Sequence, residues 1–132
     1  MSLPEPARRI RTVLMVDDEP DIRRVGQMSL ELVGQLQVLL AGGGEEAVAM
    51  AAREQPDVIL LDVMMPTLDG PATLDRLRAL PATAGIPVIF MTAKVQRHEV
   101  EQYLARGAKG VIFKPFDPMT LPQEISRIAG GG

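Results

Sequence analysis

Pro56-Asp57-Val58-Ile59-Leu60-Leu61-Asp62 is the stretch on which the reading of this chain turns. Its four apolar residues leave no polar position to mark a solvent face, as expected of a strand covered on both sides of a parallel sheet. The run then ends on a carboxylate. Three other apolar runs end on reactive or charged groups: Val13-Leu14-Met15-Val16 before Asp17-Asp18-Glu19, Val88-Ile89-Phe90-Met91 before Thr92, and Val111-Ile112-Phe113 before Lys114. In an open parallel α/β sheet such ends lie along one edge, and ligands bind there where the strand order reverses. The pattern predicts one site holding an acid pair, a further acid, a hydroxyl and an amine.

Outward from this stretch, short apolar runs alternate with longer stretches of helical period, the pattern of βαβ units. The first helix opens at Pro20, carries Ile22, Val25, Leu32 and Val33 near one face, and stops near Gly34. Gln37-Val38-Leu39-Leu40 reads as the second strand, and residues 45–54 as a helix around Ala47, Val48 and Ala51, ended before Pro56. Met65-Pro66-Thr67-Leu68-Asp69-Gly70 must be a loop, because Pro and Gly punctuate it and Asp tolerates turn geometry. A third helix covers about residues 71–80, and a fourth sets Val100, Tyr103 and Leu104 at helical spacing before Gly107. Asp117-Pro118 reads as cap and first turn of a last helix with Leu121, Ile125 and Ile128, where Pro122 falls early enough to do little harm. Five strand-helix rounds fit.

A length of 132 residues suits one domain, which buries roughly two thirds of its unfolded surface. With 46% hydrophobic and 23% charged residues and a net charge of −3, the composition argues against disorder and against a basic nucleic-acid footprint. Cysteine is absent, which excludes disulfides, thiolate metal sites and thiol nucleophiles. The longest apolar stretches are too short to span a bilayer. Residues 1–11, with Glu5, Arg8, Arg9 and Arg11 around Pro4 and Pro6, lack the apolar core of a secretory signal. The expectation is a cytoplasmic protein with an N-terminal extension over 1–11 and a folded domain over 12–129. Residues 130–132 read as a flexible tail or the start of a linker.

The clustered charges dictate the chemistry. Two carboxylates 4 Å apart repel by about 4 kcal/mol at an effective dielectric near 20. Lys114 offsets one unit of that charge, and a hard divalent cation with oxygen ligands would offset the rest; Mg²⁺ takes one or two carboxylates and completes its shell with water and phosphate oxygens. Such a site suits a phosphoryl group, with Asp62 as the nucleophile and metal, Lys114 and Thr92 stabilising the transferring oxygens. Each feature alone has a plainer reading. Asp17, Asp18 and Glu19 would favour the positive end of the first helix, Thr92 would cap a helix, and Lys114 would make a structural ion pair. Their shared place at successive strand ends is required by no capping rule.

Taken in order, Val16-Asp17-Asp18-Glu19-Pro20, Pro56 to Asp62, Met65-Pro66 with Asp69-Gly70, Pro87 to Ala93, and Gly107-Ala108 with Phe113-Lys114-Pro115-Phe116 resemble the receiver domain of two-component response regulators, of the chemotaxis-regulator type. The likeness runs from about Thr12 to Ile128. It implies a flavodoxin-like, doubly wound parallel sheet of five strands in the order 2-1-3-4-5. It also implies Mg²⁺ held by Asp17, Asp18, Asp62 and the backbone carbonyl of Met64. Asp62 would accept a phosphoryl group from the phosphohistidine of a sensor kinase or from a small donor such as acetyl phosphate. Lys114 and Thr92 would bond its oxygens, with Ala93 leaving room. The added charge would bias the surface of the fourth helix, fifth strand and fifth helix. Met64 and Lys94 stand where side chains flank the attacking water in the family.

One position departs from the pattern. Such receivers commonly carry Tyr or Phe three residues before the lysine, a ring that turns inward as the threonine moves; here Val111 stands there, with Phe113 and Tyr103 nearby. Other features carry less. Gly42-Gly43-Gly44 lacks the Lys-Ser/Thr of a phosphate loop and reads as a turn. His98, the only histidine, reads as a solvated helix residue; Met64 and Met65 read as packing, and Asp75, Arg76 and Arg78 as an ordinary wet face. The favoured function is a phosphoacceptor switch with slow self-dephosphorylation, acting through a protein partner. A pseudo-receiver binding module would have lost an acid or the lysine. A phosphatase would want a second acid where Met64 stands.

Overall fold

The computed structural model describes residues 10–93 and 96–130. Most of the expected N-terminal extension, Lys94 and the last two glycines lie outside the described residues. Strands β1 (Thr12–Val16), β2 (Gln37–Ala41), β3 (Val58–Asp62), β4 (Val88–Thr92) and β5 (Gly110–Phe113) pair in parallel in the order β2-β1-β3-β4-β5. Helices α1 (Pro20–Met28), α2 (Gly44–Glu54), α3 (Gly70–Ala79), α4 (Arg97–Ala105) and α5 (Leu121–Ala129) connect or follow them. This is the doubly wound, flavodoxin-like α/β architecture that the resemblance implies.

The unbroken apolar runs have their cause in the layers. Every residue of β3 and of β4 is buried, because both faces of the sheet are covered. Leu14, Val16, Ile59, Leu61, Val88 and Phe90 point one way, onto Ala47 and Ala51 of α2 and Leu74 and Leu77 of α3. Val13, Met15, Val58, Leu60, Ile89 and Met91 point the other way, onto Leu121 and Ile125 of α5 and the half-buried Ile22 of α1. Each fully buried Leu or Ile stabilises the fold by roughly 1.5–3 kcal/mol. At the opposite edge from the predicted site, the Asp57 carboxylate accepts the backbone N–H groups of Arg11 and Thr12, both at 2.9 Å, fixing where β1 enters beside β3.

Two helices differ from the sequence reading. After α1 the chain continues through a π-helical turn, Ser29–Val33, in which the Gly34 N–H donates to the Ser29 carbonyl five residues back. This wider turn shifts the helical phase. Leu32 and Val33 are therefore 73% and 42% exposed while Ser29 and Leu30 face inward; in α1 itself Val25 is 42% exposed and Gly26 faces the sheet. Gly26 is the reason α1 can lie so close to the sheet, since a Cβ there would stand 2.1 Å from Met15 Sδ. The last helix starts later than expected. Asp117 and Pro118 belong to a turn in which the Asp117 carboxylate accepts the Met119 N–H at 2.9 Å, and Thr120 is the residue before α5.

Candidate functional site at the carboxyl edge of the sheet

Asp17 follows β1, Asp62 ends β3, Thr92 ends β4 and Lys114 follows β5, so all four stand at one edge. Because β1 lies between β2 and β3, successive connections leave that edge on opposite faces, opening the crevice that such sheets use for ligands. Asp17, Asp18 and Asp62 each present a carboxylate oxygen, all within 4.8 Å of one another. Lys114 Nζ lies 2.7 Å from Asp17 Oδ2 and 3.2 Å from Asp62 Oδ1. Asp17 is fully buried and Asp62 nearly so, while Asp18 is half-buried. Thr92 is buried at the end of β4; its carbonyl accepts the Lys114 N–H at 3.0 Å, and its register partner on β5 is Phe113.

Local chemistry fixes these positions. Asp17 Oδ1 accepts the Glu19 N–H at 2.9 Å, which turns the chain into α1, and Pro20 opens that helix where a missing donor costs nothing. The loop after Asp62 folds back upon it. Gly70 N–H donates to the Val63 carbonyl at 2.9 Å, and a Cβ on Gly70 would come within 2.6 Å of the Asp62 carbonyl oxygen, so only glycine fits. Asp69 then caps α3 by accepting the Ala72 N–H at 2.9 Å.

Burial, then the neighbouring charge of Asp17, pushes the Asp62 carboxyl up to about 6, against the opposing pull of Lys114 and a Met64 backbone hydrogen bond. Burial alone would lower the Lys114 ammonium; its hydrogen bond to Asp17 and the charges of Asp17 and Asp62 outweigh that and move it upward. Three carboxylates thus face one ammonium. The excess negative charge, all on hard oxygen donors, fits a divalent cation of the Mg²⁺ kind.

The structure brings together Asp17, Asp18, Asp62 and Lys114, with Thr92 closing the neighbouring strand. Glu19 stays out of the acid trio as the exposed residue before α1. Met65 packs as expected, but Met64 is 63% exposed and is no core residue. His98 is exposed on α4, and Ala93 is exposed directly after β4. Arg78 corrects the wet-face reading: it is half-buried, and its guanidinium donates to the carbonyls of Ala84, Ile86 and Gly107 at 3.0, 2.9 and 3.2 Å. Its neighbours Arg76 and Asp75 do make exposed ion pairs, with Glu45 and Arg106. Sequence reasoning passed over Arg23, whose Nη1 donates to the Asp17 carbonyl at 2.6 Å. One arginine in the first turns of a helix carries no signal that its target is a strand end.

The sequence profile of the response regulator receiver domain matches residues 13–126, nearly the whole chain. The chain belongs to that family. Among similar proteins, the receiver domain is 37% identical over 119 residues to Protein PilH of Pseudomonas aeruginosa, covering 90% of this chain and 98% of that protein. It is 36% identical over 116 residues to the probable transcriptional regulator ycf27 of Porphyridium aerugineum, covering 88% of this chain but 47% of that one. It thus spans about half the length of several curated relatives it matches. The solved chemotaxis protein CheY4 of Vibrio cholerae superposes with a TM-score of 0.83 at 32% identity, over 91% of this chain and 99% of that one. Receiver domains are phosphoacceptor switches of two-component signalling rather than conventional enzymes; they bind Mg²⁺ through an acidic cluster and interact with histidine kinases or phosphotransfer proteins. Among the described residues no helix is long and apolar enough to cross a membrane.

Proposed function

We propose that this receiver domain is switched in the cytoplasm by phosphorylation of Asp62, with Asp17, Asp18, Asp62 and the backbone carbonyl of Met64 as the protein ligands of Mg²⁺. The reading is supported above all by one observation: a nearly buried carboxylate, Asp62, stands 3.2 Å from a lysine and within a group of three acids. An Asp62 carboxylate oxygen forms a bond to phosphorus as the P–N bond of a phosphohistidine breaks, and the departing imidazole nitrogen keeps the electron pair and is protonated. Lys114 pairs with a phosphoryl oxygen and the Thr92 hydroxyl donates to another, while the small Ala93 leaves space beside them. When bound, Mg²⁺ supplies the charge neutralisation that lets a dianionic group approach three carboxylates.

The phosphorylated state ends by slow hydrolysis within the same site, with the exposed Met64 flanking the approach of water. The signal leaves through a protein partner at the surface of α4, β5 and α5. Residues 12–129 make up the receiver, with Ile10 buried against its core and the Arg11 N–H bonded to Asp57. Incubation with acetyl phosphate and Mg²⁺ followed by intact-mass measurement tests the assignment. Wild type is expected to gain one phosphoryl group and Asp62→Asn none; an adduct of undiminished yield on the Asn variant would overturn it.

A further inference from the structure

Asp17 is held on every side. Its N–H donates to the Ala41 carbonyl at 3.2 Å, Oδ1 accepts from the Glu19 N–H at 2.9 Å, and Oδ2 accepts from Lys114 at 2.7 Å. The fourth contact is the shortest: Arg23 Nη1 to the Asp17 main-chain carbonyl, 2.6 Å. Arg23 starts in the first turn of α1, where its own N–H bonds the Glu19 carbonyl at 3.1 Å, and its guanidinium crosses to the loop after β2. There it lies against Gly42, at which a Cβ would meet Nη1 at 3.3 Å and Cζ at 3.8 Å. That loop is itself fixed, since the Gly42 N–H donates to Glu46 Oε1 at 2.6 Å. The guanidinium therefore ties the end of β1 to the start of α1 and to the loop between β2 and α2. Its target is a neutral carbonyl and not a carboxylate, so the contact acts on the direction of the main chain as it leaves the strand.

We propose that Arg23 is a positioning residue of the acidic site, fixing the Asp17 backbone so that its carboxylate is held in the group formed with Asp18 and Asp62. The inference rests on the reading of that group as the magnesium site. Groups that orient a ligand without touching the metal typically change metal affinity about 10- to 100-fold when removed. Two opposing effects make the direction informative. If Arg23 acted only as a nearby positive charge, removing it would strengthen cation binding; acting through position, its removal weakens binding.

Calorimetric titration with MgCl₂ alone, without any phosphodonor, measures this on the full chain. Arg23→Met is expected to raise the Mg²⁺ dissociation constant about 10-fold. Arg23→Lys, which keeps a donor and the charge, should recover part of the loss. Gly42→Ala keeps Arg23 but crowds its guanidinium, and should weaken binding several-fold. Circular dichroism melts of the same proteins separate a folding defect, since Gly42→Ala leaves every contact to the core in place. Unchanged or tighter Mg²⁺ binding by Arg23→Met would overturn the role of Arg23 and leave the magnesium site standing. Absence of Mg²⁺ binding by the wild type would instead remove the reading beneath it.

Discussion

At the scale of single residues, Asp62 carries an electrostatic cost that makes the site usable. Its carboxyl titrates near 6 in the folded, metal-free protein against 3.8 when unfolded, so the unfolded chain releases its proton first as pH rises. Between those values stability falls with pH, and above about 6 the full cost remains. Asp62→Asn removes that cost while keeping an acceptor for Lys114. In thermal melts without metal, the Asn variant should gain on the wild type as pH rises from 4 to 7, reaching about 2 kcal/mol. Millimolar Mg²⁺ should narrow the gap by binding the wild type. A difference independent of pH would contradict the account. Asp17, Asp18, Asp62 and Lys114 were legible in the sequence because a polar residue ending an apolar run is conspicuous. Arg23 was not, since its target is a main-chain carbonyl that no side-chain pattern marks, and Gly70 was legible as a turn residue but not as one packed against the Asp62 carbonyl.

At the scale of elements, legibility followed periodicity. Strands β3 and β4 announced themselves as unbroken apolar runs, and α3 by its glycine, proline and aspartate start. The π-helical turn after α1 has no such signature: it adds a residue to the turn and sends Leu32 and Val33 outward. Arg78 was misread for a related reason, as its partners are carbonyls of two loops that only the fold brings beneath α3. Helix α4, on the proposed output face, is loosely built. α4 has no buried residue; it rests on Tyr103, whose ring meets Phe90 edge-on at 5.0 Å, and Val111 of β5 is half-buried in the same cluster. A valine has no ring to rotate, and Phe113, 42% exposed, is the aromatic residue in register with Thr92. Beryllofluoride should therefore shift the amide resonances of Thr92 and its neighbours while changing the α4–β5–α5 surface only modestly. Large shifts spread across residues 95–120 would refute this.

For the molecule as a whole, the alternation of strand and helix was enough to predict five parallel strands, and the order β2-β1-β3-β4-β5 came with the family resemblance. The order matters because it sets β1 beside β3, and so Asp17 and Asp18 beside Asp62, although Asp18 and Asp62 lie 44 positions apart along the chain. The cost of gathering like charges is borne by a core that covers both faces of β3 and β4, and Lys114 arrives from the far strand to offset part of it. The central claim is that this gathering exists to let Asp62 take phosphorus. Treating the acetyl-phosphate product with borohydride reduces an aspartyl phosphate to homoserine, and sequencing the resulting peptides by mass spectrometry locates it. The account predicts homoserine at position 62; homoserine at Asp17, Asp18 or any other acid, with position 62 unchanged, would contradict it.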